Sequence, residues 1–142
     1  MMMTEKFKIL AKYIKDISSE TPDVETYLFV KENISKYKLN IDIKSKAIKN
    51  QLIEINVTFT YEDKEVNEKK SYFEMTYSII IKLDETVKEK KELEKIVLCD
   101  VPTKVYPDIE KAFLNLLHHS GHQGIEFGKK VDFSKLFSSK TN

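Results

Sequence analysis

The order of periodicities along the chain predicts an α+β fold: a four-stranded antiparallel sheet with helices packed on one face. Alternation of apolar and polar residues dominates from Phe7 to Leu83, and helical spacing takes over from Lys88 onward. Only 3 Gly and 3 Pro interrupt the 142 residues, so both halves are expected to build long, regular elements. The length corresponds to one domain spanning 1–142, with disordered ends expected at 1–5 and 138–142.

Each element has its own signal. Phe7–Ile17 reads as a first strand, with Ile9, Ala11 and Tyr13 alternating with lysines, although Leu10 and Ile14 break the pattern. From Ser18 to Lys38 the period decays around Pro22, which predicts an irregular crossover carrying the aromatics Tyr27, Phe29 and Tyr37. Leu39, Ile41 and Ile43 alternate with Asn40, Asp42 and Lys44 as a second strand. The clearest strand is Ile53-Ile55-Val57-Phe59-Tyr61, interleaved with Glu54, Asn56, Thr58 and Thr60. A charged loop, Glu62 to Lys70, leads to a fourth strand, Tyr72–Leu83. There Phe73, Met75, Tyr77, Ile79 and Ile81 share one face, opposite Tyr72, Glu74, Thr76, Ser78 and Ile80.

Glu85–Leu98 begins the helical half, and Asp100-Val101-Pro102-Thr103 reads as a break. Val105, Ile109, Ala112, Phe113, Leu116 and Leu117 then recur at helical spacing, with Pro107 expected in the first turn and Ser120-Gly121 as the C-cap. A short terminal helix is expected at Ser134–Phe137, docking through Phe133, Leu136 and Phe137.

Composition excludes several chemistries. The 24 Lys+Arg against 23 Asp+Glu leave a net charge of +1, which removes the broad electrostatic case for nucleic acid or an anionic membrane as main partner. Every basic residue is lysine, so bidentate reading of phosphate or guanine by a guanidinium is not available. All glycines fall between Gly121 and Gly128, so a glycine-rich phosphate loop is absent and no nucleotide cofactor is expected. Cys99 is the single cysteine, and a buried thiol is expected there. His118-His119-x-x-His122 is the one metal-like cluster, but the Ser120-Gly121 break spoils its helical spacing, so no metal site is expected. No apolar run reaches a membrane span and no secretory h-region follows Met1-Met2-Met3, so a cytoplasmic protein without direct membrane insertion is expected. There is, by contrast, an aromatic surplus, 8 Phe and 7 Tyr, and a last strand that carries Tyr72 and Ile80 on the face opposite its apolar one. Such a sheet suits a partner subunit or a ligand.

The residues also carry a family resemblance. Tyr13-Ile14-Lys15-Asp16-Ile17-Ser18-Ser19-Glu20-Thr21-Pro22 resembles the Y-x-K-D-[IL]-S-x-E-x-P signature near the start of SecB-type protein-export chaperones. Pro102-Thr103-Lys104-Val105-Tyr106-Pro107 resembles the P-x-x-[IL]-[FY]-P segment leading into that family's main helix. Gly121 and Val131-Asp132-Phe133-Ser134-Lys135-Leu136-Phe137 resemble its close. The likeness runs from about Phe7 to Phe137, with the three motifs in order.

The resemblance implies a chaperone without ATP chemistry and without catalysis. It would be a homotetramer, a dimer of dimers, that keeps unfolded secretory preproteins translocation-competent and delivers them to the SecA motor. It further implies that the motor's basic, zinc-bearing C-terminal tail docks on an outer acidic patch, matched here by Asp16, Glu20 and Glu74 with Tyr72 beside them. Phe73, Met75 and Tyr77 are expected to pack inward, against the helix Val105–Leu117 or a subunit interface, since positions on this face contribute to assembly in the family. Tyr27, Phe29, Tyr37 and Phe59 are the expected lining of the client groove, because aromatics provide large contact area for few rotors. Two alternatives stay open: a SecB-like chaperone dedicated to one partner such as an antitoxin, and a small metal-dependent enzyme using the histidines.

Overall fold

The computed structural model describes residues 6–65, 68–127 and 131–135. Strand β1 (Phe7–Glu20) leads through helix α1 (Val24–Asn33) and a single 3₁₀ turn to β2 (Lys38–Ala47), β3 (Leu52–Glu62) and β4 (Tyr72–Leu83). Helix α2 (Lys90–Lys95) then runs through a π turn, Ile96–Asp100, into α3 (Val101–His119). The strands pair antiparallel in the order β1-β4-β3-β2, so the crossover through α1 carries the chain from one sheet edge to the other. This is the expected α+β architecture.

The core lies between one sheet face and α3. Ile55, Val57, Phe59, Phe73, Met75, Ile79 and Ile81 on the sheet, and Ile109, Phe113 and Leu117 on the helix, have no exposed surface. Phe59 meets Phe113 edge-on at 5.5 Å and Tyr106 at 5.9 Å, an arrangement favoured by the ring quadrupoles.

Four expectations are corrected. The Ser18–Lys38 crossover is not wholly irregular, because α1 occupies its centre. Asp23 caps that helix, accepting from the Thr26 N–H at 2.8 Å, but only Thr26 and Val30 are buried, so no apolar stripe announces it. The first strand continues to Glu20, and register shifts between Ile9 and Ala11 and between Ile14 and Asp16 explain its broken alternation. Each bulge inserts one residue and inverts the faces after it, leaving Ile9 on the helix side but Ala11 and Tyr13 on the outer side. Asp100–Thr103 is not a break: the π turn joins α2 to α3, absorbing an extra residue next to Pro102, which cannot donate. Since α3 therefore starts at Val101, Pro107 sits in its interior and not in its first turn.

The helix ends as expected. Ser120 and Gly121 follow the last turn, Gly121 takes φ 96°, and the His122 N–H donates to the Leu117 carbonyl at 2.9 Å. Phe133 is buried against Tyr106, at 5.8 Å between ring centroids, within a helical turn of which 133–135 are described. Leu136, Phe137 and the two ends expected to be disordered lie outside the described residues.

Candidate functional site

Strand β4 divides by residue parity. Phe73 and Met75 are sealed under α3, whereas Tyr72, Glu74 and Thr76 face outward and are half-buried. The pairing of β1 with β4 sets Glu20 opposite Tyr72, Ser18 opposite Glu74 and Asp16 opposite Thr76. Cross-strand partners share a face, so Asp16, Glu20, Tyr72 and Glu74 converge on one outer surface from two segments. The Tyr72 hydroxyl donates to Glu74 Oε2 at 2.7 Å. That bond, with partial burial and the negative charges of Glu74, Glu62 and Glu20, pushes the phenol up to about 12. Glu62 extends the acidic surface from β3; its position at the strand's end read only as the start of a loop. Further along the same face, Lys15 in the second bulge donates to Glu54 at 2.8 Å, which raises the lysine and lowers the carboxylate. The face is therefore acidic at the Tyr72 end and neutralised at Glu54.

The aromatics expected to line a client groove do not come together. Phe59 is core. Tyr37 is 7% exposed and acts as a strut: its hydroxyl accepts from the Ser71 N–H at 2.9 Å and donates to the Ser71 carbonyl at 3.1 Å. Tyr27 is half-buried, its hydroxyl donating to the Gly121 carbonyl at 2.8 Å. Phe29 alone of the four is well exposed, at 37%. A cleft does exist beside them, about 440 Å³ in volume, between the start of β2 and the segment after α3. Tyr37 forms its floor with Tyr61, and Leu39, Ile41, Phe127 and Val131 line it as half-buried apolar walls. Of these, only Tyr37 was among the expected residues. Leu39 and Ile41 read as an ordinary strand face, because nothing in the spacing says that a cleft opens beside β2. The cleft borders an edge strand whose outer N–H and C=O groups are free to pair with an extended chain.

Phe73 and Met75 turn inward and are covered within the single chain, while Tyr77 is half-buried opposite Ile14 and Val57. Exposed apolar side chains do lie on the edge strand β1, where Leu10, Tyr13, Ile14 and Ile17 are each 43–49% exposed.

No group of three His, Cys, Asp or Glu side chains among the described residues is placed to hold a metal. His118 and His119 are exposed, their rings 5.2 Å apart, whereas His122 is turned away and buried. Cys99 is buried with its Sγ 3.2 Å from Ser134 Oγ, as a structural thiol. Among the described residues no helix is long and apolar enough to cross a membrane.

The sequence profile of the family Preprotein translocase subunit SecB matches residues 2–142. A protein-export protein SecB of Pelagibacter ubique (strain HTCC1062) is 57% identical over 140 residues, covering 99% of this chain and 100% of the relative. Among solved structures, a SecB-like chaperone of Mycobacterium tuberculosis, in complex with a ChAD peptide from the HigA1 antitoxin, superposes with a TM-score of 0.65. That likeness covers 89% of this chain and 88% of the other at 10% identity, and so shows the fold. The family is one of chaperones and not of enzymes, and the chain, which belongs to the SecB family, is a chaperone of protein export.

Proposed function

We propose that this chaperone holds unfolded secretory preproteins in the cleft between β2 and Phe127, and passes them to the SecA motor through the acidic outer face. It works in the cytoplasm as a homotetramer, a dimer of dimers, without cofactor, nucleic acid or membrane insertion. The observation that carries the reading is the gathering of Glu20, Glu62 and Glu74 around Tyr72, with Asp16 farther along the same outer face. Carboxylates gathered from separate strands attract a lysine-rich tail mainly through on-rate, in a salt-sensitive way. The cleft complements this surface: apolar walls grip side chains with little selectivity, and the β2 edge offers main-chain hydrogen bonds that any extended client can use. Binding the unfolded form alone keeps a client from collapsing, by mass action. The exposed apolar stretch of β1 supports assembly, since a bare edge strand of this kind is normally covered.

A calorimetric titration with the motor's tail peptide at two salt concentrations tests the docking face. Wild-type protein should bind more tightly at low salt, and Glu74→Lys should weaken binding at least tenfold while leaving client holding and assembly intact. Undiminished, salt-independent binding by the Glu74→Lys protein would sink the assignment. It would also favour a second reading, a chaperone dedicated to one partner, to which the antitoxin peptide held by the Mycobacterium protein lends support. Native mass measurement with and without an unfolded secretory protein tests holding and the tetramer together.

A further inference from the structure

His122, which the export reading does not use, sits where the crossover helix is fastened to the rest of the molecule. α1 is lightly held: Thr26 and Val30 are its buried residues, while Val24 at 68% and Leu28 at 55% face outward. A further attachment is a socket just past the C-terminus of α3. Gly121 takes φ 96° there, and a Cβ on it would come within 2.5 Å of the Tyr27 ring, so a bare backbone is what admits that ring. The Tyr27 hydroxyl donates to the Gly121 carbonyl at 2.8 Å.

The imidazole of His122 closes the socket. Its ring centroid lies 5.4 Å from that of Tyr27 on α1 and 5.6 Å from that of Phe73 on β4, edge-on to the latter. The residue is 4% exposed, and its Nε2 is sealed without a hydrogen-bond partner. From α1 it faces the neutral Tyr27 hydroxyphenyl and feels the positive charge of Lys31; from β4 it faces Phe73, which can neither accept nor share a proton. A neutral ring fits this nest at the cost of one idle nitrogen. An imidazolium brings a charge and two N–H donors into it, which burial without partners penalises heavily.

We propose that His122 is a proton-operated latch: neutral, it holds α1 in the Gly121 socket, and protonated, it leaves the Tyr27–Phe73 nest and lets α1 come away. Burial first, and Lys31 second, hold the imidazole below its ordinary value of 6.5. A folded value below the unfolded one means that the docked state is fully favoured above the unfolded value and loses that advantage as the pH falls toward the folded one. α1 continues through the turn Ile34–Lys36 into Tyr37, the floor of the cleft, so opening the latch loosens the cleft. That last step rests on the client-holding reading; the latch itself does not.

The test uses the full chain between pH 8 and pH 5. Nuclear magnetic resonance follows the His122 ring, while amide exchange, expressed as protection factors, follows Val24–Asn33. Protection of α1 should fall at least tenfold in step with His122 protonation, with β3 and β4 still protected. H122F and H122Q should abolish that fall, whereas the H118Q/H119Q double variant should keep it. Unchanged α1 protection while His122 titrates, or the same acid loosening in H122F and H122Q, would overturn the latch. Should neither His122 variant fold, the paired wild-type titrations decide alone. Affinity for an unfolded peptide is measured separately: pH-independent affinity with a working latch would count against the cleft and not against the latch.

Discussion

Strands β3 and β4 carry two surfaces built from alternate residues of the same segments, and the two obey different rules. On the helix side, Phe59, Phe73 and Met75 have no exposed surface, and Phe59 and Phe73 each meet further aromatic rings. On the outer side, Thr58 and Thr76 pair by their hydroxyls at 2.9 Å and Tyr72 donates to Glu74, all four residues being half-buried. A one-residue step along β4 thus moves from a position that holds the molecule together to one that the molecule can spare. Acidic groups gathered on the spare side therefore ask for an explanation outside the fold, whereas aromatics on the sealed side do not.

The largest effect that should sharpen this contrast comes from placing lysine on each side of that step. Met75→Lys buries an unpaired ammonium with no carboxylate neighbour on its face, and should cost more than about 4 kcal/mol, enough to abolish the folded state of many domains. Glu74→Lys, one residue away, should leave the thermal transition within a few degrees of wild type. Circular dichroism melting of the two proteins side by side checks this. Equal melting temperatures would break the distinction between the faces.

Next in size is Phe59→Ala. Its ring fills the space between Phe113 and Tyr106, and removing it leaves a cavity that α3 cannot close without losing its other contacts. A loss of about 3–5 kcal/mol is expected in denaturant unfolding, with the slope unchanged. A loss below about 1 kcal/mol would mean that the core collapses around the gap, and that Phe59 is less central than its burial says.

How much of this was legible in the sequence follows from the same contrast. Period-two alternation is a strong signal where one face is sealed, so β3 and β4 could be read off the chain, including both ends of β4. It fails on β1, where bulges near Leu10 and Lys15 invert the parity twice, and on α1, whose burial is confined to Thr26 and Val30. The acidic positions Asp16, Glu20 and Glu74 could be carried over by motif, but their meeting on one face required the register of β1 on β4, and two bulges make that register unreadable from spacing. The cleft was missed for a different reason. Tyr27, Tyr37 and Phe59 stand out in the sequence as aromatics, yet aromatic type says nothing of exposure, which depends on tertiary packing. Leu39, Ile41 and Phe127 are half-buried and line the cleft beside the edge strand β2.

The smallest stability effect should come from the aromatic that the fold leaves uncovered. Phe29 lies on α1 with 37% of its surface exposed, against none for Phe59, although both are phenylalanines in the half of the chain that forms the sheet. Removing a ring that water already reaches forfeits little transfer free energy and opens no cavity, so Phe29→Ala should change stability by no more than about 0.5 kcal/mol. Phe29 is the well-exposed one of the four aromatics expected to contact a client, on the helix whose following turn leads through Ser35 to Tyr37 at the cleft. Under that reading the substitution should weaken the holding of an unfolded protein severalfold, measured as the chaperone concentration needed to suppress its aggregation, with the melting temperature held. A large fall in melting temperature together with normal holding would reverse the assignment and make Phe29 an ordinary packing residue. The combination discriminates because exposure alone predicts the first number and client contact alone predicts the second.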